Sequence, residues 1–219
     1  RLDPKKAPLD LYWKDASGSP YGNFSALQAD LQKQGKRLLF ATNSGIYARD
    51  NTPLGLHVEK GQVLEPLNRK EGGGNFFLKP NGVFYLDDKE SGILETEEYF
   101  RADKHPRLAV QSGPLLRAGG VYHPKLIPDA NTRYTRGGVG RIASEGVILF
   151  VLAENPVNFY TFAHFLGDQL HCDDVLYLDG SLADIYAPEA HRTPIGLAMV
   201  GMLAVSAPTG ENAPAGSRP

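Results

Sequence analysis

Cysteine is almost absent from this sequence of 219 residues, in which the single example is Cys172. One cysteine cannot form an intramolecular disulfide or a cysteine-based metal cluster, and the six histidines show no metal-ligand spacing. No run of about 18 apolar residues exists, so no membrane-spanning helix is predicted. Neither sign of charge prevails, since the formal net charge is −2. This balance argues against nucleic acid as the main partner.

Several familiar motifs are also missing. The sequence contains no Walker-type Gly-Lys-Ser/Thr loop, no dinucleotide glycine fingerprint and no Gly-x-Ser-x-Gly elbow. The glycine run 72–74 is interpreted as a flexible loop rather than as a phosphate cradle. We therefore expect neither a cofactor nor a bound metal.

The composition itself is that of an ordinary globular protein. Hydrophobic residues make up 42% and charged residues 22% of the chain, which allows a sizeable core. The length allows one large domain, which we predict over residues 1–205. Residues 206–219 consist of proline, glycine, alanine and polar residues, and we expect them to form a flexible tail.

The hydrophobic pattern predicts two principal helices. Residues 25–34 and 158–170 carry apolar stripes at helical spacing, and Asn23 or Ser25 and Asn158 can cap them. Elsewhere, short apolar runs bounded by glycine, proline or asparagine predict about a dozen strands. Pro80-Asn-Gly82 predicts a hairpin turn between strands over 75–78 and 83–86. Together these elements predict an α+β fold with a mixed, mostly antiparallel sheet.

A carboxylate stands at the end of one predicted buried strand. Four apolar residues, 175–178, lead directly to Asp179, which is followed by Gly180. The strand would fix the acid, and the glycine would let a ligand or another backbone approach closely. Asp-Gly is also a common turn pair, so a simple turn is the alternative interpretation.

A polar residue beside glycine recurs at the ends of predicted strands. The four examples are Asn43-Ser-Gly45, Gln111-Ser-Gly-Pro114, Arg136-Gly-Gly-Val-Gly140 and Asp179-Gly180. Amides and a carboxylate suit the hydroxyls of a sugar, whereas an arginine among glycines suits a phosphate because its fork binds oxygen pairs. Four independent turns would give the same pattern, and the residues alone leave both interpretations open.

In their order and spacing these segments resemble the motifs of the phosphodiester glycosidase family, and in particular its exported bacterial members. Residues 40–47 followed by 53–56 resemble the family's Asn-x-Gly-(aromatic) and Pro-x-Gly-Leu motifs, and residues 111–116 resemble its Gly-Pro-x-Leu motif. Residues 135–140 resemble Arg-Thr-Ala-(apolar)-Gly, and residues 178–180 resemble the start of Leu-Asp-Gly-Gly-Gly-Ser. Asn158 also has a counterpart, and the resemblance spans residues 37–205.

The resemblance implies hydrolysis of the glycosidic bond of a sugar-1-phosphodiester, which would be a small molecule or a glycan. Arg136 would hold the phosphate, and Asp179 would be the nucleophile or general acid. Glycoside hydrolysis usually needs two carboxylates, and Glu154 is the first candidate for the second, followed by Asp50 and Asp184. The substrate-binding residues would be Asn43, Gly45, Gln111, Gly113, Arg136, Asn158 and Gly180.

The resemblance further implies a periplasmic or secreted protein whose signal peptide has been removed. The sequence begins at Arg1 without a visible signal peptide, which decides nothing about export. The residues do not indicate an oligomeric state, a particular sugar or the group on the far side of the phosphate.

One position departs from the family pattern. The family's serine after the Asp-Gly glycines falls at Ala183, and the nearby Ser181 has the opposite parity along a strand. Two other functions therefore stay open. The chain could be an exported module that binds a glycan or envelope phosphodiester without cleaving it, or a hydrolase of another phosphodiester such as a lipid or teichoic-type polymer.

Overall fold

The structure is a computed structural model that describes residues 1–180, 182–192 and 194–210. Its helices are α1 (Phe24–Lys33), α2 (Thr96–Ala102) and α3 (Phe159–His164), and α3 continues as a π-helical turn over Phe165–Gln169. The strands in the described part of the chain are β1 (Leu9–Tyr12), β2 (Lys36–Asn43), β3 (His57–Glu59), β4 (Gln62–Glu65), β5 (Gly82–Leu86), β6 (Ser91–Glu95), β7 (Leu108–Ser112), β8 (Leu115–Ala118), β9 (Val121–Tyr122), β10 (Tyr134–Ile142), β11 (Val147–Val157), β12 (Asp174–Asp179), β13 (Ile185–Tyr186) and β14 (Met202–Pro208).

The strands form three sheets. Their orders are β1-β14-β2-β13, then β11-β10-β12-β8-β9, and finally β4-β3-β7-β5-β6. The strand pairings described for these sheets are antiparallel. The predicted α+β fold in a single domain is confirmed, and its strands are shared among three sheets that pack on one another.

One core joins the three sheets. Its largest apolar cluster contains Leu203 from the first sheet, Leu176 from the second and Phe84 from the third, all of them buried. Side chains alternate along a strand, so β12 sends Leu176 and Leu178 into this core and Tyr177 to the opposite side, toward α3. Each face of β12 is thereby covered, which explains why its sequence is almost continuously apolar.

The glycines of β10 let α3 approach the second sheet closely. A Cβ atom on Gly138 would lie 2.9 Å from the Phe162 ring, and one on Gly140 would lie 2.5 Å from the sulfur of Cys172. The sequence analysis grouped these glycines with Arg136 in a segment suited to phosphate binding. The structure instead uses Gly138 and Gly140 for helix packing, as close approach of two backbones requires.

The interpretation of the segment around Pro80 was wrong. Asn75–Phe77 is a 3-10 turn rather than a strand, and Pro80-Asn-Gly82 is not a hairpin turn. Asn81 is fully buried, where it donates to the Phe76 carbonyl at 3.0 Å and accepts from the Thr96 hydroxyl at 2.8 Å. The hairpin turn lies instead over residues 87–90, between β5 and β6.

The two principal helices agree with the sequence prediction except at their ends. Asn23 caps α1 by accepting from Ala26 N at 2.9 Å, whereas the short helix α2 was not predicted. The predicted tail begins too early, because residues 206–208 continue β14 and pair with residues 36–38 of β2. Residues 211–219 lie outside the described part.

Among the described residues, no helix is long and apolar enough to cross a membrane.

Candidate active site

Strands β10 and β12 lie side by side in the second sheet and end at the same cleft. Gly137 pairs with Asp179, so that Arg136 and Asp179 are brought together by the strand register alone. The cleft has a volume of about 490 Å³. It is lined by Asn75, Thr132, Tyr134, Arg136, Phe159, Tyr177, Asp179, Gly180 and Leu182.

The pairing of both strands is irregular beside the cleft. The register between β10 and β12 shifts between Gly137 and Gly138, which leaves Leu178 as an extra residue in β12. The pairing of β10 with β11 shifts between Tyr134 and Arg136. Bulges of this kind bend a strand and change the direction of nearby side chains, and they are frequent next to active sites.

Arg136 is a buried cation with neutral partners. Only 1% of its surface is exposed, and its guanidinium donates to the carbonyl oxygens of Val157 at 2.8 Å and Thr132 at 2.9 Å. Within the described residues, no carboxylate forms a salt bridge with it, and burial lowers the pKa of the guanidinium. A buried positive charge without a counterion favours the binding of an anion, and the fork of arginine fits phosphate oxygens.

Asp179 is held at the edge of the same cleft. Burial raises the pKa of its carboxyl to about 6, while a hydrogen bond accepted from the Gly180 N–H acts in the opposite direction. This hydrogen bond measures 2.6 Å. The Asp179 charge also raises the pKa of Tyr47, after the larger effect of burial. An acid that titrates near pH 6 can act in either protonation state under physiological conditions.

Asn43, at the end of β2, lies near Gly137, the residue of β10 that pairs with Asp179. Its Oδ1 atom accepts from the Asp184 N–H at 3.3 Å, but its Nδ2 atom is buried and has no hydrogen-bond partner among the described residues. A Cβ atom on Gly137 would lie 2.9 Å from the Ala183 methyl group and 3.6 Å from both Asn43 Oδ1 and the Asp179 carbonyl oxygen. Buried amide groups are nearly always paired, but Asn43 is not among the residues that line the cleft, so the geometry does not assign this donor to a substrate.

Comparison with known proteins identifies the family. Residues 36–184, which include the cleft residues named above, match the family model described as phosphodiester glycosidase. The chain belongs to the phosphodiester glycosidase family.

This phosphodiester glycosidase family member also has individual relatives. It is 38% identical over 185 residues to the "Uncharacterized protein YigE" of Escherichia coli strain K12, with 84% of this chain and 72% of the relative covered. The catalytic domain of zebrafish N-acetylglucosamine-1-phosphodiester alpha-N-acetylglucosaminidase, auto-inhibited by its pro-peptide, superposes with a TM-score of 0.61 at 16% identity, covering 93% of this chain and 74% of that one.

A hypothetical protein from Synechocystis superposes with a TM-score of 0.56 at 15% identity, covering 94% of this chain and 58% of that one. At such identities the two superpositions show a shared fold. The family match adds support for a glycosidase-type function.

Gln111 carries a family-like motif, but its side chain is not among those that line the cleft. Its Oε1 atom accepts from the backbone N–H groups of Leu56 at 3.1 Å and Asn68 at 2.8 Å. Its Nε2 atom donates to the Asn68 carbonyl at 2.8 Å and to the Thr96 hydroxyl at 3.2 Å. The amide therefore fastens the segment around residues 55–68 to β7.

The glycines of the first two motifs allow close backbone packing. A Cβ atom on Gly45 would lie 2.7 Å from the carbonyl oxygen of Gln111, and one on Gly113 would lie 2.6 Å from that of Phe76. Gly113 consequently supports the 3-10 turn that carries Asn75 into the cleft. Gly180 is the only one of the predicted glycines that lines the cleft within the described residues.

The structure does not place the candidates for a second carboxylate in the cleft with Asp179. Glu154 is 65% exposed at its side chain and pairs with Arg192 at 3.0 Å in a separate groove. Asp184 is fully buried, where it accepts from Arg192 at 3.1 Å and from the Ile195 N–H at 2.8 Å. Asp50 is exposed in a turn, and hydrogen bonds from Thr52 lower the pKa of its carboxyl.

Asn158 acts on the cleft through its neighbour. Its Oδ1 atom caps α3 by accepting from Thr161 N at 2.8 Å, and its Nδ2 atom donates to the carbonyl oxygens of Pro128 at 2.8 Å and Ala130 at 3.2 Å. These bonds fix the start of the helix, and the next residue, Phe159, lies beneath the Arg136 guanidinium. The amide itself has no free donor for a substrate.

Sequence reasoning missed the aromatic residues of the cleft. Tyr134, Phe159 and Tyr177 surround Arg136 with ring centroids 5.8, 3.6 and 5.6 Å from its guanidinium carbon. One signal was available, because Tyr177 precedes Asp179 by two residues and so shares its side of the strand.

The described residues contain no group of three or more histidine, cysteine or acidic side chains that could hold a metal ion.

Proposed function

We propose that this chain hydrolyses the glycosidic bond of a sugar-1-phosphodiester, with Arg136 binding the phosphate and Asp179 as the catalytic carboxylate. The observation that carries the proposal is one cleft that holds a buried arginine without an acidic partner and an acid with a pKa of about 6. The first substrate to test is an N-acetylglucosamine-1-phosphodiester, because the zebrafish relative is named for that compound.

In this arrangement the substrate would lie across the cleft from Arg136 to Asp179. The guanidinium would neutralise the phosphate, which both anchors the substrate and makes phosphate a better leaving group. The anomeric carbon would then face Asp179. The ionised carboxylate would attack this carbon or stabilise its developing positive charge.

Aromatic side chains supply walls for the sugar. Tyr134 is 52% exposed at the cleft, and Tyr47 lies close enough to Asp179 for the carboxylate to affect its pKa. Aromatic rings present apolar faces and, in tyrosine, a polar hydroxyl. Such a surface suits a sugar ring, which has apolar C–H faces and hydroxyl groups at its edge.

A second candidate function is the binding of a glycan or envelope phosphodiester without cleavage. Two observations favour it: only one carboxylate, Asp179, is among the described residues that line the cleft, and Ala183 replaces the serine of the family pattern.

We further propose, from the resemblance to exported bacterial members, that the protein acts in the periplasm or outside the cell, and cell fractionation tests this location.

The experiment that separates catalysis from binding is an assay of sugar release. A panel of sugar-1-phosphodiesters is incubated with the wild type and with Asp179→Asn, and binding of each compound is measured by calorimetry in parallel. Catalysis predicts release by the wild type that is lost in the variant. Tight binding without release by the wild type would support the binding module and contradict the enzyme.

A further inference from the structure

Tyr177 is fixed at the floor of the cleft. It is 2% exposed, yet it is among the lining residues. Its ring meets that of Phe159 edge-on, with centroids 4.8 Å apart and an interplanar angle of 89°. A Cβ atom on Gly180 would lie only 2.4 Å from the phenol oxygen, so the hydroxyl reaches the backbone directly beside Asp179.

The phenol interacts with both charged groups of the cleft. The guanidinium carbon of Arg136 is 5.6 Å from the ring centroid of Tyr177. Burial and then the Asp179 charge raise the pKa of this phenol, whereas Arg136 and Asn75 act in the opposite direction. The phenol is therefore a neutral hydrogen-bond donor throughout the physiological range. Arg136 and Asp179 form no salt bridge with each other, so neither charge of the cleft is neutralised by the other.

Glycoside hydrolysis normally needs a second group beside the catalytic carboxylate. In most glycosidases this group is a carboxylic acid that protonates the departing oxygen. Here, Asp179 is the only carboxylate among the described residues that line the cleft. A phosphate leaving group is a much weaker base than a sugar alkoxide, so a hydrogen bond to its oxygen can replace full protonation.

We propose that the Tyr177 hydroxyl donates a hydrogen bond to the oxygen that links the anomeric carbon to phosphorus. This assignment rests on the proposed function. In the reaction, the bond between the anomeric carbon and this oxygen breaks, and its electron pair stays on the phosphate oxygen. Water supplies a hydroxyl group to the anomeric carbon and, in the net balance, a proton to the released phosphate. The phenol keeps its own proton.

The test compares Tyr177→Phe with the wild type on aryl- and alkyl-substituted sugar-1-phosphodiesters whose phosphates differ in leaving ability. Loss of a hydrogen bond to developing charge should lower kcat by about 10- to 100-fold, and the loss should be greatest for the poorest leaving group. KM should change little, because the contact strengthens only in the transition state. A merely structural role for the ring would leave the dependence on leaving group unchanged.

Two controls sharpen the comparison. Tyr99→Phe removes another buried phenol, one that lies in α2 and is not among the cleft-lining residues, and it should retain wild-type kcat. Binding of inorganic phosphate, measured by calorimetry, should persist in Tyr177→Phe, since the proposed contact is to the linking oxygen. The same binding should weaken at least about 10-fold in Arg136→Lys.

The outcomes separate this inference from the proposed function. Sugar release by the wild type together with unchanged kcat in a folded Tyr177→Phe variant would overturn the role of Tyr177 alone. A wild type that cleaves none of the compounds would overturn both. If Tyr177→Phe does not fold, 3-fluorotyrosine incorporated at position 177 keeps the shape but makes the phenol more acidic. Unchanged kcat in that protein would also overturn the assignment, whereas a changed leaving-group dependence would support it.

Discussion

The guanidinium of Arg136 lies over the ring of Phe159, with its central carbon 3.6 Å from the ring centroid. Stacking on an aromatic face is a property of arginine that lysine does not share to the same degree. The ring and two backbone carbonyl groups hold the guanidinium in one orientation. The orientation of the remaining N–H groups of Arg136 is thereby fixed before any anion binds.

Replacement of Arg136 by lysine should weaken phosphate binding far more than the retained charge suggests. Lysine loses the planar fork whose separate nitrogens donate to Val157 and Thr132, and a single ammonium offers an anion no pair of parallel N–H groups. We expect the Kd for inorganic phosphate to rise at least about 10-fold, since a hydrogen bond to a charged group contributes roughly 1.5–3 kcal/mol. Calorimetry provides the measurement.

Arg141→Lys is the matched control for this substitution. Arg141 lies on the same strand but pairs with Asp174 at 3.2 Å, and it does not line the cleft. Its replacement should leave phosphate binding unchanged. Equal binding by the wild type and Arg136→Lys would remove Arg136 from the phosphate site.

Gln111 should matter for stability rather than for catalysis. Gln111→Leu removes four hydrogen bonds and leaves the buried N–H of Leu56 and half-buried backbone groups of Asn68 without these partners. The expected cost in unfolding free energy is about 2–4 kcal/mol, because each unpaired buried group costs roughly 1–3 kcal/mol. Chemical denaturation gives this value, and hydrogen exchange should show faster opening around residues 54–68.

At low temperature, where the variant is folded, kcat should stay within a few-fold of wild type. A large loss of kcat without a loss of stability would instead assign the Gln111 amide to the substrate. The same substitution therefore decides between the role implied by the family motif and the role implied by the hydrogen bonds.

Gln111 also shows where sequence reasoning reaches its limit. The local pattern, a polar residue beside glycine at a strand end, is the same at Asn43, Gln111, Arg136 and Asp179. It located Arg136 and Asp179 in one cleft because β10 and β12 are direct neighbours. It could not show that the Gln111 amide is already occupied, since three of its four hydrogen bonds join it to a segment more than 40 positions away.

The secondary-structure elements, like the site residues, were predictable where the signal in the sequence is local. Helix α1 follows from a local stripe and a local cap, and β12 follows from an unbroken apolar run. The hairpin predicted at Pro80-Asn-Gly82 was wrong because Asn81 forms a buried hydrogen bond with Thr96, a contact that the local sequence does not show. Tyr177 was not predicted as a site residue because, within an apolar run, a tyrosine resembles any other core residue until its neighbours are known.

Ala183→Ser restores the serine of the family pattern and should stabilise the protein slightly. Ala183 is buried against Gly137, on the side that also faces Asn43, whose Nδ2 atom lacks a partner among the described residues. A hydroxyl group there could accept from this amide, and one new hydrogen bond contributes about 0.5–1.5 kcal/mol. Chemical denaturation at neutral pH measures the gain.

Ala183→Val is the comparison that separates hydrogen bonding from packing. Valine adds volume without an acceptor at a position where the neighbouring backbone is already close, and overpacking costs about 1–3 kcal/mol. We expect the two variants to differ in sign. A serine variant as destabilised as the valine variant would show that the Asn43 amide does not face position 183.

Asp179 should make the stability of the protein fall as the pH rises through about 6. The folded pKa is raised from 3.8 to about 6, so folding favours the neutral acid. The corresponding contribution is fully present below the unfolded pKa and is lost as the pH passes the folded pKa. The difference amounts to at most about 3 kcal/mol, since one pKa unit corresponds to about 1.4 kcal/mol, and partial exposure of the side chain reduces it.

Asp179→Asn removes this dependence, because the amide is neutral at every pH. The variant should match the wild type in unfolding free energy near pH 4 and exceed it at pH 8. Its turnover should nevertheless fall by about 10²- to 10⁴-fold, the range over which a positioned acid or base contributes. In the wild type, kcat/KM should rise with pH through about 6 if the ionised carboxylate is the active form.

Asp50→Asn is the control, because hydrogen bonds from Thr52 lower the pKa of that exposed carboxyl and no gain at pH 8 is expected. An Asp179→Asn variant that is less stable than the wild type at pH 8, with near-normal turnover, would identify Asp179 as a turn residue and place the catalytic acid elsewhere.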